Sequence, residues 1–379
     1  MRGEPGESLI QMAEHENNLA AIVNTSQGSY RVIVGRDVVE DLGEELRKTG
    51  VEGRALIVSD VVMFPNPVRR AQEALERGGY ETHVLALEIG EVNKNLETVQ
   101  VVYEWLADLR ADRSDVVVAM GGGVTGDLVG FAAATWLRGV AVVQLPTSLA
   151  AMVDSSIGGK TGVNIPKGKN LLGAFHQPKL VLQEIGHLET LPAREMAAGW
   201  AEAVKHGFIL DSQLLDTFER LAPQMKALRG DEPIAAIRRS VVIKSEIVSA
   251  DEFETGDRRV LLNYGHTIGH AIEAVSGYGT FLHGEAVAIG MMAAAGIAER
   301  LGMIDKELVE RQRRVLSSYD LPTSASGLDV DDLIEATKSD KKSRGRTIRW
   351  VLLEGPGKAT TRRDVHDDIV REAVQSILG

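Results

Sequence analysis

The histidines of this sequence form the first pattern that has chemical meaning. His266 and His270 are four residues apart, which places both imidazoles on one face of a helix. His283 follows, and Glu202 lies upstream in a run over Ala193–Phe208 that has the apolar spacing of a helix. Two histidines and one carboxylate are the usual protein ligands of a catalytic zinc ion. The pattern therefore predicts a divalent-metal site, in which either His266 or His270 is a ligand.

Each histidine taken alone is explained more simply as a buried, hydrogen-bonded core residue, and only the three groups together favour a metal. The pair at 266 and 270 lacks the glutamate of the H-E-x-x-H motif, which argues against a metalloprotease. The chain contains no cysteine, so a metal must be bound by histidine and carboxylate.

A glycine-rich turn is the second candidate site. Gly121, Gly123 and Gly126 satisfy G-x-G-x-x-G between a predicted strand and a predicted helix. Such a turn lets backbone amides approach a pyrophosphate at the N-terminus of a helix. However, no acidic residue lies in 141–148 to bind a ribose, and this is not the first strand-to-helix turn. The motif is compatible with nucleotide binding and also with a turn that is merely tight.

A loop predicted over Asp154–Asn164 is rich in glycine and hydroxyl groups. The Gly159-Lys160-Thr161 sequence suggests a P-loop, but Asp154 stands where the Walker spacing requires glycine. Lysines at 160, 167 and 169 cluster here although the chain has a net charge of −12. The loop therefore predicts recognition of an anionic, polyhydroxylated small molecule, with a solvated basic loop as the alternative.

The elements that must position these groups change in character along the chain. With 379 residues the chain is long enough for two domains. The first half alternates short β-branched runs with helical patterns, which predicts βαβ units and a largely parallel sheet. The predicted strands are Val32–Val34, Ala55–Ser59, Thr82–Leu87, Asp115–Met120 and Val140–Leu145. The predicted helices are Asp37–Lys48, Pro67–Arg77, Leu96–Ala111 and Leu128–Leu137.

From about Ala193 the apolar residues recur at helical spacing. We predict an N-terminal extension over residues 1–25, a Rossmann-like α/β domain over 26–190, and a helical metal- and substrate-binding domain over 191–379. No run of apolar residues is long enough to span a membrane, and the acidic, polar residues 1–18 do not form a signal peptide. The net charge argues against nucleic acid as a partner. We expect a cytoplasmic protein.

Several long motifs, in order, resemble the 3-dehydroquinate synthase family from about Tyr30 to the C-terminus. They are Gly121–Asp127 (GGGVTGD), Met152–Asn164 (MVDSSIGGKTGVN), Lys167–Gly173 (KGKNLLG), Trp200–Gly207 (WAEAVKHG), Leu262–Glu273 (LNYGHTIGHAIE), Leu282–Ala288 (LHGEAVA) and Asp340–Lys342 (DKK). The resemblance implies an N-terminal Rossmann-like α/β domain with a parallel sheet and an all-α, metal-binding C-terminal domain.

The resemblance also implies a role for each site residue. The metal ligands, usually of zinc or cobalt, would be Glu202, His266 and His283, and His270 would lie near the reacting phosphate. The residues that match NAD-contacting positions are Asp60, Glu91, Lys94, Gly122, Gly123, Asp127, Thr147 and Ser148. The residues that match the substrate pocket are Asp154, Lys160, Lys169, Asn170, Lys205, Lys244, Arg259, Asn263 and Lys341. Arg138 matches an arginine that reaches into the site of a neighbouring subunit, which implies a homodimer.

Two positions in the pocket remain open, since Arg258 could replace Arg259 and Lys342 could replace Lys341. The family's reaction converts 3-deoxy-D-arabino-heptulosonate 7-phosphate to 3-dehydroquinate and phosphate, with NAD recycled and the metal polarising the oxygen that is oxidised. The alternatives are a sibling cyclase of the valiolone or deoxy-scyllo-inosose type and a metal-dependent alcohol or glycerol dehydrogenase. A catalytically inactive NAD- or metal-binding regulator is a third alternative, against which the complete set of site residues argues.

Overall fold

The structure is a computed structural model that describes residues 18–277, 279–342 and 348–379; the side chains of 339–342 are not described. The described residues form two compact units. The first unit contains the chain up to Leu191 together with Lys244–Phe253, and the second contains Pro192–Ile243 and Glu254–Gly379.

The first unit is built on a seven-stranded sheet with the order β1-β2-β9-β6-β5-β3-β4. The first strand pairs with the second in the antiparallel sense, and every other neighbour in the sheet is parallel. These strands are β1 Leu19–Thr25, β2 Gly28–Gly35, β3 Ala55–Asp60, β4 Thr82–Leu87, β5 Val116–Gly121, β6 Ala141–Pro146 and β9 Leu180–Glu184. The sequence order reverses between β3 and β5, which makes the carboxyl ends of these two strands the switch point of the sheet.

Helices cover both faces of this sheet, as buried parallel strands require. The first unit contains α1 Leu42–Arg47, α2 Asn66–Arg77, α3 Leu96–Asp108 and α4 Gly123–Thr135. Side chains on one face, including Ile57, Val118 and Leu75, form one core cluster. Side chains on the other face, including Val58, Val117 and Leu128, form a second cluster.

The first unit also contains a separate hairpin of β7 Lys160–Ile165 and β8 Gly168–Phe175. The loop predicted over Asp154–Asn164 is wrong for its second half, since strand β7 begins at Lys160. The backbone pairing of the hairpin satisfies polar groups that a buried loop would leave unpaired.

The described residues of the second unit are mainly helical and also form an antiparallel hairpin, β10 Trp350–Gly355 and β11 Lys358–Arg362. Its helices are α5 Ala193–Leu210, α6 Ser212–Lys226, α8 His266–Val275, α9 His283–Arg300, α10 Lys306–Ser318, α11 Val330–Lys342 and α12 Asp367–Gln375. Helix α7, Glu232–Ala250, contributes residues to both units. In the core of the second unit, three buried aromatic rings pack against one another: Trp200, Phe218 and Tyr319.

The predicted parallel sheet and helical second half are confirmed, but the all-α second domain is wrong in one respect, since the hairpin β10–β11 lies in it. The ends of the five predicted strands agree with the structure to within one residue, except that β2 begins at Gly28 and not at Val32. The end of the predicted N-terminal extension at residue 25 is wrong. Leu19–Thr25 is strand β1, because its apolar side chains, such as the fully buried Val23, pack in the sheet. Residues 1–17 lie outside the described part of the chain. Among the described helices, none is both long and apolar enough to cross a membrane.

Candidate functional site

Three predicted metal ligands meet in the second unit. Glu202 comes from α5, His266 begins α8 and His283 begins α9. The Nε2 atoms of His266 and His283 each lie 3.7 Å from Oε1 of Glu202. Ligand atoms about 2.1 Å from one tetrahedral ion lie about 3.4 Å apart, so these separations suit a shared ion.

The chemistry of this group also suits a cation. Glu202 is buried, and its Oε1 accepts no hydrogen bond from the residues that the structure describes. Its other oxygen, Oε2, accepts a hydrogen bond from the ammonium group of Lys205, one turn later on α5. A buried carboxylate oxygen without a partner is costly, and a bound ion removes that cost.

The second ring nitrogen of each histidine ligand has its own acceptor. The Nδ1 atom of His266 lies 3.2 Å from the carbonyl oxygen of Tyr264, and that of His283 lies 3.2 Å from Oε2 of Glu273. Such contacts fix the tautomer that leaves Nε2 free to bind a metal. Burial, with the nearby Lys205 ammonium, lowers the pKa of His266 well below its usual range, which keeps this imidazole neutral.

A second group, His270, Glu273 and His283, also has ligand atoms close enough to hold an ion. In this group, however, Glu273 faces Nδ1 of His283, while Nε2 of the same ring faces Glu202. The geometry therefore favours Glu202 and His266 over Glu273 and His270 as partners of His283. This distinction is one that the sequence left open.

Close helix packing brings the ligands together. Gly284, which follows His283, approaches α5 so closely that an added Cβ would lie 2.0 Å from the carbonyl oxygen of Ala198. Gly265, which precedes His266, has a φ of 80° and lies against Met291 of α9. Larger side chains at these two glycines would push α5, α8 and α9 apart and separate the ligands.

The predicted NAD-contacting residues lie in the first unit, after the carboxyl ends of four parallel strands. Asp60 ends β3, Gly122 and Gly123 follow β5, and Thr147 and Ser148 follow β6. Glu91 and Lys94 belong to the loop after β4, and Asp127 lies in the first turns of α4. Ligands of such sheets bind at this edge, next to the switch point between β3 and β5.

The glycine motif has a partly structural role. Helix α4 begins at Gly123, so Gly126 lies within it, and an added Cβ there would lie 2.7 Å from Oε1 of Gln144 in β6. Gly122, in contrast, has ordinary space around it and is the N-cap of the helix. The motif therefore both packs α4 onto the sheet and leaves the first amides of the helix near the sheet edge.

A buried polar network joins predicted cofactor and substrate residues of the first unit. The Lys94 ammonium, only 4% exposed, lies 2.6 Å from Oδ2 of Asp127 and 2.6 Å from Oδ1 of Asn170. Burial raises the pKa of Asp127, although the Lys94 charge opposes this. Lys169 lies 3.4 Å from the Glu91 carboxylate.

The remaining predicted residues of the substrate pocket are distributed over both units. In the first unit, Asp154 forms an ion pair with the buried Lys244, and Lys160 is exposed at the start of β7. Arg138, which has a φ of 70°, lines a groove of about 490 Å³ beside the β1–β2 turn. The role of Arg138 in the site of a neighbouring subunit stays a prediction.

In the second unit, Arg259 is buried while Arg258 is exposed. The choice of Arg259 as the pocket arginine stays a prediction. Asn263 donates a hydrogen bond to Oε1 of Glu254 at 2.8 Å. The side chains of Lys341 and Lys342 lie outside the described residues, so the choice between them stays a prediction.

Two residues that contact the predicted site were not predicted from the sequence. Glu273 is the partner of His283, and Asn164 contacts both the Glu91 side chain and the Asn170 backbone. Both residues lie inside motifs that were recognised, at the ends of LNYGHTIGHAIE and MVDSSIGGKTGVN. A carboxylate seven residues after a helical histidine lies on the same helix face, and this spacing was the available signal for Glu273.

Comparisons with known proteins agree on one family. Residues 84–198 match the family model described as the 3-dehydroquinate synthase N-terminal region, and residues 199–343 match that of its C-terminal region. A curated 3-dehydroquinate synthase from Nostoc punctiforme is 45% identical over 359 residues, which cover 94% of this chain and 98% of that protein.

Two solved structures of sugar-phosphate cyclases share the fold. The 2-epi-5-epi-valiolone synthase of Streptomyces hygroscopicus, with NAD+ and Zn2+ bound, has a TM-score of 0.84 and 29% identity, with 93% of this chain and 98% of that chain covered. A 2-deoxy-scyllo-inosose synthase in complex with carbaglucose-6-phosphate, NAD+ and Co2+ has a TM-score of 0.82 and 29% identity, with 94% of this chain and the whole of that chain covered.

Proposed function

The chain belongs to the 3-dehydroquinate synthase family, whose members are carbon–oxygen lyases, and we propose that it converts 3-deoxy-D-arabino-heptulosonate 7-phosphate to 3-dehydroquinate and phosphate. The observation that carries this proposal is the similarity to curated 3-dehydroquinate synthases over nearly the whole chain. The likeness to the valiolone and inosose synthases is lower in sequence identity and supports the shared cyclase fold.

Glu202, His266 and His283 are the residues that would hold a divalent metal, with zinc and cobalt as candidates from the two related cyclases. Their fit rests on the unpartnered Oε1 of Glu202 and on two Nε2 atoms that face it. A metal bound there supplies Lewis-acid polarisation of a substrate oxygen. Lys205 holds the second carboxylate oxygen of Glu202 and so fixes its orientation.

The residues at the edge of the parallel sheet would hold NAD, which supplies a reversible hydride acceptor. The first amides of α4, at Gly122 and Gly123, are suited to the pyrophosphate. The carboxylate of Asp60 is suited to ribose hydroxyl groups at the end of β3. Lys94 would hold Asp127 and Asn170 in place through its two short contacts.

An anionic substrate needs cations, and six of the residues that match the family's substrate-contacting positions are basic. The groups that would neutralise the substrate carboxylate and phosphate are Lys160, Lys169, Lys205, Lys244, Arg259 and Lys341, with Arg138 donated by a partner subunit. The groups that would orient the hydroxyl groups by hydrogen bonds are Asp154, Asn170 and Asn263.

Phosphate elimination requires a proton to leave the carbon that is next to a transient ketone, while the carbon–oxygen bond to phosphate breaks. The substrate's own phosphate oxygen can take this proton, so the protein needs no strong base of its own. His270, one turn after His266, would hold a proton near the leaving phosphate. The later ring opening and aldol closure need mainly orientation, which the pocket residues would supply.

Two features of the protein as a whole are proposed with this function. A homodimer is proposed because Arg138 matches an arginine that acts in a neighbouring subunit's site. A cytoplasmic location is also proposed, as expected of a biosynthetic enzyme similar to the curated 3-dehydroquinate synthases.

The choice between sibling cyclases can be tested with two sugar phosphates. We expect phosphate release from the carboxylate-bearing heptulosonate phosphate and none from glucose 6-phosphate, with NAD and either zinc or cobalt present. Release from glucose 6-phosphate alone would assign the chain to the inosose type. NADH that accumulates in step with product would instead indicate a dehydrogenase.

A further inference from the structure

The β7–β8 hairpin has an irregularity at a single residue. Val163 pairs with Leu172, whereas Ile165 pairs with Gly168. Asn164 therefore opposes three residues of β8, which form a bulge: Lys169, Asn170 and Leu171. Such bulges redirect side chains and leave backbone groups of the ladder unpaired.

The side chain of Asn164 satisfies one of these backbone groups. Its Oδ1 accepts a hydrogen bond from the backbone N–H of Asn170 at 2.9 Å. Asn170 has a φ of 54°, a left-handed conformation that asparagine tolerates better than most residues and that a hydrogen bond to its backbone N–H can hold in place. This contact holds the turn from which Lys169 and Asn170 project.

Asn164 also contacts the loop that follows β4. Its Nδ2 donates a hydrogen bond to Oε1 of Glu91 at 2.8 Å, and its backbone N–H donates one to the carbonyl oxygen of Lys94 at 2.8 Å. The amide of one side chain therefore joins a residue proposed to contact NAD to a turn proposed to contact the substrate. An amide side chain can accept from Asn170 and donate to the Glu91 carboxylate at the same time, whereas an ionised carboxylate at this position could only accept.

We infer that Asn164 is a positioning residue that couples the NAD-contacting loop Glu91–Lys94 to the substrate-contacting bulge Lys169–Leu171. The inference rests on the proposed function for the roles of Glu91, Lys169 and Asn170. The physical coupling through Asn164 is a property of the hairpin itself and can be measured without turnover.

Two substitutions separate the two contacts. Asn164→Ala removes both, and we expect it to raise the KM for heptulosonate phosphate and the Kd for NAD by about tenfold each, the effect of losing a hydrogen bond to a charged group. Asn164→Asp keeps the acceptor for Asn170 but places a second carboxylate against Glu91. It should weaken NAD binding while the Asn170 amide stays protected from hydrogen exchange.

Exchanging the donor and acceptor provides a rescue. In the double substitution Asn164→Asp with Glu91→Gln, the amide lies on the opposite side of the same contact. We expect the Kd of this double variant for NAD to match that of the single variant Glu91→Gln. A double-mutant cycle then measures the coupling free energy between positions 164 and 91. Thr161→Val is the matched control, because it removes a hydrogen bond to Ala174 elsewhere in the same hairpin.

The inference is overturned if Asn164→Ala leaves both constants and the exchange of the Asn170 amide unchanged. It is also overturned if Thr161→Val changes the two constants as much as Asn164→Ala, since the effect would then be general loss of hairpin stability. If the wild-type protein released no phosphate from heptulosonate phosphate, the proposed function would fail. Amide exchange and the Kd for NAD would still decide the role of Asn164.

Discussion

Oε1 of Glu202 lies 3.7 Å from Nε2 of His283 and accepts no hydrogen bond within the described part of the chain. An equal separation joins Oε1 to Nε2 of His266. One oxygen of this buried carboxylate is paired with the Lys205 ammonium, and the other, Oε1, is left to bind a further cation. The position of Oε1 between the two Nε2 atoms supports a metal site more directly than any sequence motif does.

Metal binding should stabilise the fold through Glu202. Zinc or cobalt at a hundred times its Kd should raise the free energy of unfolding by about 2.7 kcal/mol, since only the folded chain has the assembled site. We expect Glu202→Gln to abolish this gain, as measured by thermal unfolding with and without EDTA. Glu195→Gln, an exposed glutamate earlier on α5, should keep the gain in full. A Glu202→Gln variant that metal still stabilises would contradict the assignment.

Glu273 should control metal affinity without binding the metal. Its carboxylate orients the His283 ring through Nδ1, and loss of such a partner typically weakens metal binding by about 10- to 100-fold. We expect that loss for Glu273→Leu and a smaller one for Glu273→Gln, which keeps an acceptor oxygen. Competition with a chelating dye measures the affinity directly. If Glu273→Leu bound no metal at all while Glu202→Gln bound it normally, the second group, with His270, would be the site.

The Lys94–Asp127 ion pair should stabilise the fold of the first unit and also support NAD binding. Lys94→Met leaves the largely buried Asp127 carboxylate, whose side chain is 20% exposed, without its ammonium partner, which should cost about 2 kcal/mol in the free energy of unfolding. Adding Asp127→Asn should recover most of that stability without recovering NAD affinity. Urea unfolding and NAD titration of the three variants measure the two effects separately. Equal stability of the single and double variants would rule out this explanation.

His187 should make folding stability depend on pH. Burial lowers its pKa to about 4, and its Nδ1 has no hydrogen-bond partner in the part of the chain that the structure describes. In the unfolded chain the pKa of this histidine is about 6.5, so between pH 4 and pH 6.5 the unfolded chain binds more protons than the folded chain. The stability that depends on neutral His187 is therefore complete above about pH 6.5 and is lost as the pH falls towards 4.

The matching substitution is His187→Gln, which cannot titrate. The stability difference between wild type and this variant should fall by about 2 kcal/mol between pH 7 and pH 4.5, as measured by urea unfolding in EDTA. A difference that does not change with pH would show that His187 is not held neutral by the fold.

The predictable part of this structure follows from local patterns. Strands such as Ala55–Asp60 and Val116–Gly121 are continuous β-branched runs, which parallel sheets require on both faces. The spacing of His266 and His270 predicted a shared helix face, and α8 has it. The choice between these histidines as metal ligands depends on how α8 packs against α5 and α9, which local spacing does not reveal.

Other features depend on contacts between distant segments. Strand β1 is a strand because it pairs with β2, and its sequence alone carries a weak signal. The hairpin at 160–175 was missed because its glycines and polar residues indicate a loop. The partners of Asn164 are far away in sequence, at Glu91 and Lys94, so no local pattern could reveal them.

The most direct test of the account follows both products of the reaction at once. Heptulosonate phosphate is incubated with substoichiometric NAD and with zinc or cobalt, and phosphate and 3-dehydroquinate are quantified together. We predict equal amounts of both products, many turnovers per NAD, and loss of activity with EDTA or with Lys160→Ala. Phosphate without dehydroquinate, or one NADH formed for each phosphate released, would contradict the assignment of this chain as a 3-dehydroquinate synthase.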